Sequence, residues 1–273
     1  MRNNQDRLGP PSATEDQSVA GASLSYAVPT EFVELPSKGK FYAENHPLHN
    51  QETIEIRYMT AKEEDILASV ALIKKGLAVD RLLENIIVPD VNPKTLLIGD
   101  RNAVMIAARI SAYGSAYVAN VVCTKCLEAQ DHTFDLKKVN YNLACFDDNL
   151  LTKYDISFNK EKIRFDYVLP KSSVKVGVKI PTGFDEVVEE AVGENSAITA
   201  LLSKIIVSVN ENENPSEVSS FVDSMLAWDS RELRTVLPLM SPNVDLKQEF
   251  GCRSCGEEDI REIPLTAEFF WPR

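Results

Sequence analysis

AYVANVVCTKCLEAQDHTFDL, residues 116–136, and VDLKQEFGCRSCGEEDIREIPL, residues 244–265, decide the fold of this chain. Each holds a Cys-x-x-Cys pair at identical spacing, Cys123 with Cys126 and Cys252 with Cys255, and each pair sits between runs that alternate as strands do. In an intracellular chain two such pairs read as one tetrahedral thiolate site for zinc before they read as disulfides. The strand, knuckle, strand order, met twice, predicts a zinc-ribbon-like pair of Cys-tipped β-hairpins pinching one ion. Cys145, the fifth cysteine, is a buried or incidental thiol, with no partner base in evidence.

Zinc held by four thiolates has no open position for water, so the predicted Zn²⁺ is structural. Clipping segments more than a hundred residues apart restricts the unfolded chain and makes folding metal-dependent. Lys125 and Arg253 lie inside the knuckles, where they can offset the charge of a Zn(Cys)₄ centre or stand as exposed turn residues.

Working outward, 125 residues separate the pairs, from Leu127 to Gly251, far more than a ribbon needs. The expected organisation is a disordered tail over 1–29, a helical and zinc-ribbon core over 30–145 plus 241–273, and an inserted domain over 146–240. The tail reads as linkage alone, with a short docking segment around Leu24 and Tyr26 as the alternative. The core opens with a Pro36–Gly39 turn and a half-buried strand over 53–58. Thr60 and Glu63 form a capping box for a helix over 61–75, whose stripe is Ile66, Leu67, Val70 and Ile73. A second helix spans 79–87, and Asp100 is placed to cap a third that stops near Gly114. In the insert, YDISF and IRFDYV predict a hairpin and Val174–Ile180 a further strand; from Phe184 the pattern reads as helical, through EVVEEAV and AITALLSKIIVSV. Pro215 begins one helix and Asp229 with Glu232 a capping box for another. The class is α+β.

The formal charge of −12 disfavours a primary role on nucleic acid. It is unevenly spread: residues 182–261 hold 16 acids and 6 bases. No run approaches the ~18–20 apolar residues of a membrane span, and no secretory signal opens the chain, so an intracellular location is expected. SKGK lacks the spacing of a phosphate loop, and His46-x-x-His49 lacks a third ligand. Neither HExxH nor GxSxG occurs, Glu186, Glu189 and Glu190 read as a solvated face, and no catalysis or small-molecule substrate is expected. Two other classes stay open. A nucleic-acid-binding zinc ribbon would concentrate bases on its strands, whereas the second hairpin reads Cys-Gly-Glu-Glu-Asp; a CxxC thiol redox protein would place its first cysteine at a helix N-terminus.

Four segments together resemble a known family: VELPSKGKFY (33–42), MTAKEEDILAS with LIKKG (59–76), LLIGDRNAVMIAARISAYG (96–114) running towards CTKC, and CRSCGEEDIREIPLTAEFFWP (252–272). They are similar to the baseplate protein family of T-even-type contractile-tailed bacteriophages, over about residues 32–139 and 244–273. The resemblance implies a non-enzymatic baseplate hub assembly factor, or chaperone, or a hub component. It would act in the cytoplasm of the infected host or in the virion tail baseplate, with hub or other tail proteins as partners. Three surfaces suggest themselves for those partners, each with an interior or solvating alternative: Phe269, Phe270 and Trp271, adjacent aromatics of which two are the better fit for sealing the ribbon against the helices; Arg101 and Arg109, eight residues apart on one helix, for which pairing with acids of the same chain is the stronger reading; and the acidic helical insert, which could equally keep the protein soluble.

Overall fold

The computed structural model describes residues 27–185, 197–265 and 267–270. Most of the expected tail, the EVVEEAV segment with Glu186, Glu189 and Glu190, and Trp271 lie outside the described residues.

Two strands open the chain, β1 (Thr30–Glu34) and β2 (Thr53–Arg57), paired antiparallel with Val33 opposite Ile54. Both residues are buried, as the alternation requires. The Thr60–Glu63 box forms: the Glu63 carboxylate accepts the Thr60 N–H at 2.9 Å and its hydroxyl at 2.6 Å, and pairs with Arg57 at 2.7 Å. The helix it starts is shorter than the stripe suggests. α1 (Ala61–Ala68) ends at Ser69, whose extended backbone turns the chain before α2 (Val70–Lys74). The break takes Val70 and Ile73 off the face that Leu67 buries, leaving them 63% and 41% exposed. α3 (Ala78–Ile86) buries Leu82, Leu83 and Ile86 as its periodicity demands.

The axis of the fold is α4 (Ile98–Tyr113), closed by Gly114 at φ 82, where glycine alone is unstrained. Asp100 does not cap it. The helix begins two residues earlier, and the buried Asp100 carboxylate instead accepts the Ser37 N–H (2.9 Å), the Ser37 hydroxyl (2.5 Å) and the Tyr42 hydroxyl (2.7 Å). That ties the Pro36–Gly39 turn to the helix start. Gly99 lies so close to residues 242–243 that a Cβ would fall 2.0 Å from the Pro242 carbonyl oxygen. The same approach positions β10 (Asn243–Asp245), which pairs with β5 (Asn140–Asn142) and leads into the second cysteine hairpin.

The two cysteine hairpins are β3 (Ala116–Val122) with β4 (Ala129–Asp135), and β11 (Lys247–Gly251) with β12 (Glu258–Glu262). Between them α5 (Asp148–Lys153) precedes β6 (Ile156–Asn159), β7 (Arg164–Val168) and β8 (Lys175–Val178). α6 (Ala197–Ile205) then runs directly into a strand, β9 (Ile206–Val209), where a continuous helix was expected. Ile206, Val207 and Val209 are β-branched, and as the fourth member of the antiparallel sheet β6-β7-β8-β9 the segment buries Ile206 and Ser208. Gly177 makes room there for the Ser208 hydroxyl and for Arg164, which is 2% exposed and paired with Asp166, Glu211 and Glu213.

Two helices follow: α7 (Pro215–Ser224), capped by Asn214, and α8 (Ala227–Met240). Asp229 does not open α8. Already inside its first turn, it accepts the N–H groups of Lys171 (2.8 Å) and Ser172 (3.0 Å), so its carboxylate caps a loop rather than a helix. One hydrophobic cluster runs through the molecule, joining Val33 and Leu82 to Phe165, Val176, Leu233 and Phe269.

Candidate metal centre

The first pair, Cys123 and Cys126, forms the tip of β3–β4; the second, Cys252 and Cys255, forms the tip of β11–β12. The two turns are built alike. Cys123 N–H donates to the Glu128 carbonyl at 2.9 Å and Leu127 N–H to the Cys123 carbonyl at 3.0 Å. On the other side Cys252 N–H donates to Glu257 at 2.8 Å and Gly256 N–H to Cys252 at 3.0 Å. In both, the residue after the second cysteine is left-handed: Leu127 at φ 59 and Gly256 at φ 71.

All four sulfurs lie within 4.8 Å of one another, with Cys123 Sγ 3.7 Å from Cys255 Sγ and Cys126 Sγ 3.6 Å from Cys252 Sγ. Disulfide sulfurs would be about 2.05 Å apart. Sulfurs at about 2.3 Å from one tetrahedral ion would be about 3.8 Å apart, which the cross-hairpin distances match. The donor set therefore fits a single thiophilic cation.

Electrostatics divides the thiols. N–H groups of Cys126 and Lys125 point at Cys123 and hold its pKa down to about 7. Those of Cys255 and Ser254 lower Cys252 in the same way. At Cys126 the Glu128 N–H favours the thiolate, but burial and the three neighbouring sulfurs prevail and push it up to about 12. Cys255 is likewise raised, burial and the sulfurs of Cys252 and Cys123 outweighing the Glu257 N–H. The first thiol of each pair is shifted down and the second up, and the four titrate as one interacting group; a dication would supply the field that lets all four ionise together.

Side chains across the junction set the hairpins' spacing independently of the sulfurs. Gln130 on β4 donates to the Gly251 carbonyl at 2.9 Å and accepts the Arg253 N–H at 2.8 Å. Gln248 on β11 donates to the Asp135 carbonyl at 2.7 Å and accepts its N–H at 3.1 Å. Lys125 pairs with Glu257 at 2.6 Å, linking knuckle to knuckle. Under the sulfurs, Phe250 packs with Val121, Cys123 and Cys252 and carries the His132 ring at 5.3 Å. Nothing in local sequence pattern marks the two glutamines; their roles depend on the docking of one hairpin against the other.

Cys145 sits apart, 6% exposed, its thiol pushed up to about 12 by burial. His46 bonds Thr95 at 2.9 Å and His49 the Tyr42 carbonyl at 2.7 Å, so the two rings serve the loop. Of the two readings of the suggested partner residues, a partner surface or an interior role, the interior one fits four of them. Phe269 and Phe270 are buried at 1% and 2%, Phe269 lying 5.1 Å edge-on to Tyr117 beneath the first hairpin. Arg101 and Arg109 are 3% and 2% exposed. Arg101 pairs with Asp80 at 2.7 Å, and Arg109 donates to the Phe269 carbonyl at 2.9 Å and to that of Gly114 at 3.1 Å. These four side chains are interior: the aromatics seal the hairpin against α4, and the arginines satisfy buried acceptors.

Fold and site together define a class, a mixed α/β protein in which two cysteine-tipped hairpins converge on one metal-competent cluster. Within that class, the chain belongs to the T4 bacteriophage base plate protein family, whose model matches residues 28–271. The match runs through residues 146–240 as well, beyond the segments that carry the resemblance in sequence. No curated protein and no solved structure matches the chain. Among the described residues no helix is long and apolar enough to cross a membrane.

Proposed function

We propose that the protein is a non-enzymatic assembly factor of the phage tail baseplate hub, or a component of that hub, whose paired hairpins form a zinc ribbon closed by structural Zn²⁺. The observation that carries this reading is membership of the baseplate family across residues 28–271, which supports a structural or assembly role among other baseplate and tail proteins. Four converging cysteines at tetrahedral spacing support the zinc. Such a centre offers no open coordination position and serves stability rather than chemistry.

Against a thiol redox role stands the placement of both pairs between strands, with no helix starting at either to stabilise an attacking thiolate. Against nucleic-acid binding stands the second hairpin, where Glu258 and Asp259 occupy the strand a basic face would need and Glu257 precedes them in the turn. The protein would act in the infected host's cytoplasm and, as a component, in the virion baseplate.

Affinity capture of the tagged protein from infected cells, set beside mass spectrometry of purified virions, tests the role. Recovery with hub proteins and absence from virions identifies an assembly factor. Recovery with hub proteins and presence in virions identifies a component, and recovery with neither hub nor tail proteins overturns the proposal.

A further inference from the structure

The knuckle turn requires a left-handed residue after its second cysteine, but nothing in the fold explains why a leucine with an exposed side chain, Leu127, fills that position in the first hairpin. The Leu127 backbone is left-handed, at φ 59, a region that clashes with Cβ, and the equivalent turn of the second hairpin places Gly256 there at φ 71. Its side chain is 75% exposed, the most exposed large apolar residue among those described. Ile163 shares the strained backbone at φ 50, but its partly buried side chain lines a groove with Phe41 and Phe158 and so has a packing role. Leu127 has none. On the other side of the cysteine pair Val122 is 51% exposed. A strained, exposed leucine where the sister turn uses glycine marks a residue held for contact outside the chain.

We infer that the tip of the first cysteine hairpin, with Leu127 and Val122 as anchors, docks into an apolar socket with a basic rim on another baseplate or tail protein. The inference rests on the baseplate reading and names the surface that reading requires. Charge selects the rim. Residues 122–128 and 251–259 carry Glu128, Glu257, Glu258 and Asp259 against Lys125 and Arg253, and Lys125 is already tied to Glu257. A filled thiolate site would add further negative charge at the same tip. A partner that buries Leu127 must therefore meet acidic surroundings, which basic side chains match.

The test uses a phage deleted for the gene and complemented in the host with wild-type, Leu127→Gly, Leu127→Asn or Leu127→Met protein. Glycine and asparagine fit the left-handed backbone and remove the apolar anchor; methionine keeps it. The expected result is a fall in titre of about tenfold or more for the glycine and asparagine variants, with methionine near wild type. Purified Leu127→Gly should hold its metal and unfold at a temperature equal to wild type or about 2 °C higher, since strain is relieved. A purely structural residue cannot lose function while gaining stability. Wild-type titre from the glycine and asparagine variants overturns the inference. So does metal loss accompanying the fall in titre, or a Leu127-dependent dimer in sedimentation of the purified protein, which would make the occupant a second copy. A deletion phage that builds normal baseplates refutes the baseplate role itself, so the two failures are distinguishable.

Discussion

Gln130 and Gln248 reach in opposite directions across the hairpin junction, each side-chain amide closing on the backbone of the other hairpin. Both make one donor and one acceptor bond, the pairing a neighbouring strand would make. The hairpins are thus joined twice, by sulfur at the tips and by amides along their length. Because these amide bonds hold the hairpins without the sulfurs, chelation should loosen the tips alone, a narrower effect than the metal-dependent folding that the cysteine spacing predicts. In hydrogen exchange the Leu127 and Gly256 amides, which donate to the first cysteine's carbonyl in each knuckle, should lose protection when chelator is added. The Arg101 and Gly114 amides at the two ends of α4 should keep theirs. Global unfolding on chelation would contradict this.

Single substitutions at the cluster should separate ligands from bystander. Serine at Cys123, Cys126, Cys252 or Cys255 should reduce bound metal from about one ion per chain to near none after dialysis, measured by elemental analysis, because three thiolates leave a weaker and open site. Cys145→Ala should leave the metal content unchanged and lower stability by about 1 kcal/mol, the cost of emptying a small buried volume.

Glu63 predicts an acid-dependent loss of stability. Burial alone would raise its pKa, but the bonds from Arg57 and from the Thr60 hydroxyl and N–H prevail and hold it down to about 2, from 4.5. A folded-state pKa below the unfolded one contributes stability that is present above the unfolded value and lost as pH falls through the folded value. Glu63→Gln should therefore cost about 1–3 kcal/mol near pH 7, and its difference from wild type should shrink between about pH 4.5 and pH 2. Urea midpoints across that range read the effect; a difference that persists undiminished at pH 2 would refute it.

Two glycines should respond oppositely to alanine. At Gly99 the new Cβ meets the Pro242 carbonyl oxygen at 2.0 Å and the Asn243 Cα at 2.7 Å, both backbone atoms of one segment, so helix and strand must part. A loss of about 2–4 kcal/mol is expected. At Gly251, one residue before the second cysteine pair, nothing lies within 4 Å of the new Cβ, and alanine should change stability by less than about 0.5 kcal/mol. Chemical denaturation of both variants checks the contrast.

What could be read in the sequence was local. The hairpins around Cys123 and Cys252, the Thr60–Glu63 box, the stop at Gly114 and the β6–β7 hairpin each follow from residues close together in the chain. What could not be read was the partner a polar group finds at long range. Asp100 and Asp229 have the residue type of a helix cap, yet their acceptors serve Ser37 with Tyr42 and the 171–172 backbone. Arg101 and Arg109 share a face with apolar neighbours, and the spacing that put them together could not say that the face turns inward. The strand at Ile206–Val209 exists because β8 offers it an edge. The same limit hid Gln130 and Gln248.

The 132 positions between Cys123 and Cys255 also impose a timetable. A ribosome adding about 5–20 residues per second takes roughly 7–26 s to travel that distance. Throughout that interval the first knuckle has only two of the four cysteines, and a chain cut short anywhere before Cys255 can never complete the set. Only a chain synthesised through Cys255 can bring the four sulfurs together, so the assembled cluster reports that both hairpins have been completed.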